Sequence, residues 1–590
     1  MTLLATSWKM WPDVLIDTGY YLYNFWQISE GKVLFKDLTY YYGPFSPMVN
    51  AAIFKLFGVS LTAIILFNFI LFITCSFFIY KIFSKACDRA TGCILALIFL
   101  LLFGFAQYVP TGNFNFIAPY KTEILHGLLA SLIMIYLMER VFSGVNGPLV
   151  WIAIGVCAGV SLLTSGEISM ATLAALGVGL AITYLSGRYS SSDYTRNVIW
   201  LILGCLLLPL GFFCYYCLHL PASEAFIATF NGILAVVLFP SVSQNVFFQE
   251  SMGLNHPTEN LIMILQCSLV IVTACLSIWS LGAFINKKNF VSEKNRRIVG
   301  ATVLLASALI FYSFPNVTPW VHFSSALPLL VGVLASVGLF WCLRLRRTNA
   351  LSAQSFLFTV WSFFSFFMLA KMTLNARIHH YGFYLGMPAT LLVWATLLWY
   401  LPRLKKGEVN WIFQGAACIA LVSMTMSLGL LSLHFYQQKD VVVGRGQDAI
   451  VTYNAETSTK GPATQAALQW LEENAAKDAT LLTLPEGTIL NYLSRRVRPS
   501  PYTFIITEVL AYGEDTILKS FQDGRPDYVM LIDRDTTEFG VGPFGQDPLY
   551  GEKVMAWIRQ SYITRVVIGA VPFAKQGFGI EILMRKDLGQ

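Results

Sequence analysis

Long apolar runs broken by short polar segments occupy most of residues 61–433. They are Leu61–Ile82, Cys93–Tyr108, Thr122–Met138, Leu149–Thr164, Ile168–Leu185, Asn197–Leu218, Asn260–Ile285, Ile298–Phe314, Pro319–Leu343, Ala353–Thr373, Gly382–Leu401 and Trp411–Leu433. A bilayer-spanning helix needs roughly 20 mostly apolar residues, so the pattern predicts about twelve transmembrane helices. After Lys439 the pattern becomes that of a soluble α/β unit. Pro462–Ala475, Glu508–Phe521 and Gly551–Ser561 read as helices, Ala479–Leu484 and Tyr528–Asp533 as buried strands, and Ile563–Gly569 and Phe578–Met584 as closing strands. The glycine-rich stretch Gly540–Gly545 lacks the Lys-Ser/Thr of a phosphate loop and reads as a plain loop. The expected organisation is an α-helical polytopic membrane domain over residues 1–439, opening with an extracytoplasmic loop over 1–60, and a soluble α/β domain over 440–590.

Composition agrees with a bilayer as the solvent. Of the 590 residues, 56% are hydrophobic and 12% charged, and the mean hydropathy is +0.61, more apolar surface than a soluble globule can hide. The net charge of +7 comes from Lys and Arg placed between apolar runs, where they act as topology signals, so nucleic acid is not an expected partner. All eleven cysteines precede residue 440, which leaves the soluble domain without a disulfide framework. Cys214 and Cys217 form a CxxC inside an apolar run and read as ordinary helix-packing residues. Met1–Asp17 has neither the basic start nor the continuous apolar core of a removable signal peptide.

Threading the runs alternately puts Lys81/Lys85/Arg89, Arg140, Arg188/Arg196, Lys287/Lys288/Lys294/Arg296/Arg297, Arg344/Arg346/Arg347 and Arg403/Lys405/Lys406 on one face, the cytoplasmic one by the positive-inside rule. The outer face then receives residues 1–60, 109–121, 219–259, 374–381 and everything beyond 434. Residues 219–259 carry no Lys or Arg, in keeping with that side. Twelve spans with an outer C-terminus also put the N-terminus outside, an arrangement that an additional preceding helix would resolve.

Three outer-face clusters hold the candidate chemistry. The first runs through Trp11-Pro-Asp-Val-Leu-Ile-Asp17-Thr-Gly19, Glu30-Gly31, Phe35-Lys-Asp37 and Tyr40-Tyr-Tyr42-Gly43-Pro44; its aromatic residues are equally compatible with belt anchors at the membrane surface. The second, Asn113 to Gly127, carries Tyr120, Glu123 and His126. Glu123 and His126 share one helical face and either face a cavity or pair with each other or with headgroups. The third, Lys371 to Tyr381, contains Arg377, His379, His380 and Tyr381. An Arg fork with His and Tyr donors suits a phosphate; the adjacent histidines would suit a metal only with ligands from elsewhere in the chain.

Asp17-Thr-Gly19, Gly31, Phe35-Lys-Asp37, Gly43-Pro44 and Phe57-Gly58 resemble the opening pattern of the polytopic glycosyltransferases of the GT-C class, within them the dolichyl-phosphate-mannose-protein mannosyltransferase-like group. The chain departs from that pattern at Thr18, where many members have a second carboxylate, and at Phe35, where Tyr is frequent. It also lacks the family's usual first helix. The resemblance implies a GT-C fold and a polyprenyl-phosphate sugar as donor. Asp17 stands at the position of the catalytic carboxylate. Lys371, Arg377, His379, His380 and Tyr381 would hold the donor phosphate, while Asp37, Tyr42, Tyr120, Glu123, His126 and Glu167 would line the sugar or acceptor pocket. Glu167 occupies the place of a Lys-Pro-Glu-like turn without its Lys, and a plain helix-end carboxylate is the alternative.

The expected function is therefore inverting sugar transfer from a lipid-phosphate donor to a lipid, glycan or protein acceptor, with Asp17 as general base and no metal required. The competing readings are a transporter or flippase, which commonly shows internal repeats that this chain lacks, and a receptor or assembly protein working through its soluble domain. The family resemblance and the absence of disulfides favour a bacterial inner membrane with the site facing the periplasm, while Asn316-Val-Thr318 matches a glycosylation sequon.

Overall fold

The structure is a computed structural model and describes residues 2–285, 293–313, 318–348, 350–405 and 408–589. Lys287, Lys288, Lys406 and the first two residues of the Asn316-Val-Thr318 sequon lie outside the described residues. Each apolar run coincides with helix, and among the described residues nine helices are long and apolar enough to cross a membrane. The other three runs form Arg89–Phe99 with a π-helical turn to Gly104, the short helix Pro148–Leu162, and Glu293–Tyr312, whose first turn carries Glu293, Lys294 and Arg296. Leu203, Leu206, Leu207 and Leu210 on helix Ser191–Cys217, and Leu265, Leu269 and Leu276 on Pro257–Ile285, are exposed. With this hydropathy such faces meet lipid, and the chain is an integral membrane protein. Cys214 and Cys217 are exposed on the same outward surface rather than packed between helices.

Lipid supplies no hydrophobic drive for helices to associate, so close backbone packing and polar contacts hold them together. Helix Pro148–Leu162 crosses Ser191–Cys217 at Gly155 and Gly204, where any side chain would collide with the facing backbone. Helix Thr122–Phe142 is buried along most of its length; Ser131 on it meets the Thr172 hydroxyl at 2.7 Å, and Thr172 meets Ser161 at 2.8 Å.

Two segments expected as loops are folded. Residues 1–60 form helices Thr18–Ser29 and Phe45–Phe57, with Tyr20, Tyr21, Tyr23 and Phe25 buried. Their rings are enclosed between the membrane helices and the C-terminal domain and do not form a surface belt. Residues 219–259 contain helix Ala222–Leu238 and the short helices Pro240–Gln244 and Val246–Met252.

The C-terminal domain begins with a hairpin, β1 (Lys439–Val443) against β2 (Ile450–Tyr453). A four-stranded mixed sheet follows, made of β3 (Leu481–Leu484), β4 (Tyr528–Ile532), β5 (Tyr562–Gly569) and β6 (Gly579–Arg585) in the order β3-β4-β6-β5, with β3 and β4 parallel. The expected helix Glu508–Phe521 is two helices, Ile506–Tyr512 and Glu514–Gly524, because Gly513 between them takes φ +81°, a backbone state that stops a helix.

Polar contacts dock this domain on the membrane helices. Lys9 Nζ donates to the Gly446 and Gln447 carbonyls, each at 3.0 Å, and Lys439 Nζ donates to Gln107 Oε1 at 2.8 Å. Asp448 accepts the Leu61 amide at 2.8 Å, at the start of helix Leu61–Ala86, and the Tyr492 hydroxyl at 2.8 Å.

Candidate active site

A cavity of about 1050 Å³ lies between the membrane domain and the C-terminal domain. Asp17, Tyr42, Tyr120, Glu167, Lys371, His380 and Tyr381, drawn from all three outer clusters, line its membrane side together with Lys121. Glu486, Asp533, Arg534 and Glu538 of the C-terminal domain line it as well.

Asp17 is the central residue of a γ-turn: its φ is +60° and ψ −69°, and the Thr18 amide donates to the Ile16 carbonyl at 2.6 Å. This turn is rare and strained for a residue with a side chain. The carboxylate does not cap the helix Thr18–Ser29 that it precedes; Asn113 Nδ2 donates to its Oδ2 at 3.4 Å. Burial, then the charges of Glu486 and Asp13, push the Asp17 carboxyl up to about 7, against the opposing pull of Asn113 and Lys121.

Lys121 also has a left-handed backbone, φ +48°. Its ammonium lies 4.1 Å from the Tyr381 ring centre and 5.2 Å from that of Tyr42, with its Nζ 3.4 Å from the Tyr384 hydroxyl. Among the described residues no carboxylate pairs with it directly. Burial and the neighbouring Lys371 bring its pKa down to about 7, with Glu167 and Asp17 opposing. Lys371 pairs with Glu167 at 2.7 Å, and Glu167 sits in the first turn of helix Gly166–Leu185.

Other expected site residues stand apart. Asp37 is outside the cavity lining; its Oδ2 accepts the Val33 amide at 2.8 Å and closes a local turn. Glu123 receives the Tyr40 hydroxyl, and His126 Nδ1 meets Ser46 Oγ at 2.8 Å, so the two do not pair with each other and neither lines the cavity. Arg377 and His379 flank the lining without joining it. Burial and Arg377 push His379 down to about 4 and His380 to about 2, so both rings are neutral near pH 7 and offer hydrogen bonds rather than charge. Positive charge at the membrane end of the cavity falls to Lys121 and Lys371. Among the described residues no group of three His, Cys, Asp or Glu is arranged to hold a metal ion.

Lys121, Tyr40, Glu486 and Arg534 are lining residues that sequence reasoning did not assign to the site. Lys121 was within reach of it, being the one basic residue in the second cluster. Glu486 and Arg534 had no local signal, since their place in the site depends on domain docking.

Residues 42–216 match the family model for dolichyl-phosphate-mannose-protein mannosyltransferase. The resemblance to that mannosyltransferase family, read from the sequence motifs, is thus met by an independent comparison. The mannosyltransferase match takes in Tyr42, Tyr120, Lys121, Glu123, His126 and Glu167; Asp17, Lys371 and the C-terminal domain lie beyond it. No curated protein matches the chain significantly. Among solved structures, ArnT from Cupriavidus metallidurans bound to undecaprenyl phosphate aligns with TM-score 0.46 and 11% identity, over 98% of this chain and 96% of that one. The Archaeoglobus fulgidus oligosaccharyltransferase tethered with an acceptor peptide aligns with TM-score 0.45 and 11% identity, over 90% of this chain and 68% of that one. Likenesses at this level carry no argument about activity.

Proposed function

We propose that the protein is a membrane glycosyltransferase that moves a sugar from a polyprenyl-phosphate-linked donor to an acceptor on the extracytoplasmic face. The observation that carries this reading is the meeting of Asp17 with Lys121 and the Lys371–Glu167 pair in one cavity at the membrane boundary. The mannosyltransferase match over residues 42–216 supports the same class of reaction.

In this mechanism the acceptor hydroxyl or amine gives its proton to Asp17 as its oxygen or nitrogen bonds to the anomeric carbon. The bond from that carbon to the phosphate oxygen breaks on the opposite side, so the configuration inverts. The electron pair leaves with polyprenyl phosphate, whose charge Lys121 and Lys371 stabilise. A base with a pKa near 7 is matched to neutral conditions, and such general-base help is worth on the order of 10²–10⁴-fold; charge stabilisation in a buried site adds more. The tyrosines of the cavity wall offer hydroxyls and ring faces to the sugar. Site and soluble domain face the periplasm of a bacterial inner membrane in this reading.

The test is release of polyprenyl phosphate from a panel of radiolabelled lipid-phosphate sugars by purified protein in nanodiscs, with acceptor extracts present. Donor-dependent release that Asp17→Asn suppresses at least about 100-fold, with protein level and lipid binding retained, is the expected result. No release across the panel would sink the reading in favour of transport, and retained turnover in Asp17→Asn would remove Asp17 from the base role.

A further inference from the structure

The tyrosines that line the cavity fall into two groups. Tyr42, Tyr120 and Tyr381 surround the Lys121 ammonium, which lies 5.2, 5.9 and 4.1 Å from their ring centres. Tyr20, Tyr40 and Tyr41 form a stack instead: Tyr20 lies 5.9 Å from Tyr40 with the rings 3° from parallel, and 5.8 Å from Tyr41 with the rings 25° from parallel. All three line the cavity. Tyr20 and Tyr40 are buried, and Tyr41 at the end of the stack is the ring left partly exposed.

Each hydroxyl of the stack is engaged within the protein. Tyr20 donates to the Thr39 carbonyl at 2.9 Å, Tyr40 donates to Glu123, and Tyr41 accepts the Thr507 hydroxyl of the C-terminal domain at 2.8 Å. Thr39 is held by that domain too: its hydroxyl donates to the buried Glu508 carboxylate and its amide to the Pro501 carbonyl at 3.4 Å. Glu508 also accepts the Thr503 hydroxyl at 2.7 Å. A tyrosine whose hydroxyl is engaged has its apolar ring left to offer. The lining beside Tyr41 continues in kind: Thr507 and Ala511 are four apart on helix Ile506–Tyr512, and Tyr512 at its end packs against Phe239 at 5.4 Å.

From this arrangement, and resting on the transferase reading above, we propose that Tyr41, Thr507 and Tyr512 form an acceptor subsite, apart from the tyrosines around Lys121, and that the acceptor it takes is a carbohydrate ring. The class follows from the chemistry of the lining. A pyranose carries hydroxyls on its rim and C–H groups on its faces, and such a face matches an aromatic ring whose own hydroxyl is already bonded. An extended peptide is bound through its main chain at a sheet edge, whereas the segment that meets Tyr41 is the helix Ile506–Tyr512. Glu508 is a positioning residue of this subsite, acting through Thr39 on the Tyr20 ring against which Tyr41 stacks. The C-terminal domain thereby builds part of the acceptor site and is more than a cover over it.

Binding and transfer are read separately on the full-length protein in nanodiscs. Saturation-transfer NMR with a panel of methyl glycosides and no donor reads the subsite. Transfer of label from lipid-phosphate sugars to the same glycosides, to Ser/Thr peptides and to phosphatidylethanolamine reads the acceptor class. The glycosides are expected to bind and to take up label. Tyr41→Ala is expected to raise glycoside KM about 10-fold, the order of an aromatic contact, with donor KM changed less than about threefold. Tyr41→Phe keeps the ring and recovers most of the glycoside affinity. Glu508→Ala follows Tyr41→Ala, and E508Q, which still offers Thr39 an acceptor, recovers glycoside binding; the two Tyr41 variants carry the test where Glu508→Ala fails to fold. Glycosides that neither bind nor take up label, or a Tyr41→Ala protein that loses donor affinity and keeps its glycoside KM, overturn the proposal. Glycoside binding that Tyr41→Ala abolishes, in a protein that releases no polyprenyl phosphate from any donor, upholds the carbohydrate site and defeats the transferase reading.

Discussion

At the scale of single residues, the site concentrates backbone strain as well as charge. Asp17, Lys121 and His380 all have positive φ, and all three line the cavity. Non-glycine residues in that region cost of order 1–3 kcal/mol each, a cost offset by the packing that surrounds them. In the proposed transfer Asp17 would serve as base only when ionised, and burial pushes its carboxyl up to about 7. Turnover at saturating donor is therefore expected to rise with pH through about 7 with unit slope, and a pH–rate profile reads it directly. Among the described residues Lys121 has no ion-pair partner, unlike Lys371, so in the proposed reaction its ammonium is the one available to a donor phosphate. Losing a hydrogen bond to a charged group costs about 2 kcal/mol, so Lys121→Met is expected to weaken donor binding on the order of 30-fold, measured as donor Kd in nanodiscs, while the fold is kept.

At the scale of elements, the spacing Asp17-Thr-Gly19 has a mechanical reason. Thr18 anchors the turn by donating to Asn113 Oδ1 at 2.9 Å, and Gly19 leaves room for the backbone of helix Thr488–Ser494. Gly19→Ala forces the two backbones apart. The expected result is a loss of about 1–3 kcal/mol, as for other over-packed contacts, seen as a lower Tm and faster proteolysis of the soluble domain. Where many members of the resembled family have a second carboxylate, the Thr18 hydroxyl is committed to structure: it donates to Asn113 and accepts the Asp13 amide at 3.2 Å. The Asp17-Thr-Gly19 motif was legible in the sequence through its resemblance to the family's opening pattern, while the turn it forms was not. The break at Gly513 was not, since the helical periodicity on its two sides is continuous and only the backbone at that residue turns away.

At the scale of the whole molecule, the soluble domain is tied down at points far from the cavity. Asp448 collects the Leu61 amide, the Tyr492 hydroxyl and Arg495 at 2.5 Å. Asp448→Ala leaves those donors unpaired, and a loss of about 1–3 kcal/mol is expected, read as an earlier thermal transition with the membrane helices intact. Most of the architecture was determined by sequence alone. The apolar runs place the membrane helices, because hydrocarbon leaves an isolated chain few other ways to satisfy its backbone, and the shift in composition at Lys439 marks the soluble domain. The resemblance at Asp17-Thr-Gly19 singled out Asp17, which the structure places in the cavity lining. The tertiary structure alone decided which polar residues share the cavity: it brought in Lys121, Glu486 and Arg534 and left out Asp37, Glu123 and His126. The reason is that a helical face or a motif spacing reports only neighbours a few residues away, whereas this cavity is assembled from segments as far apart as Asp17 and Arg534, and their meeting depends on how a soluble domain docks on a membrane bundle.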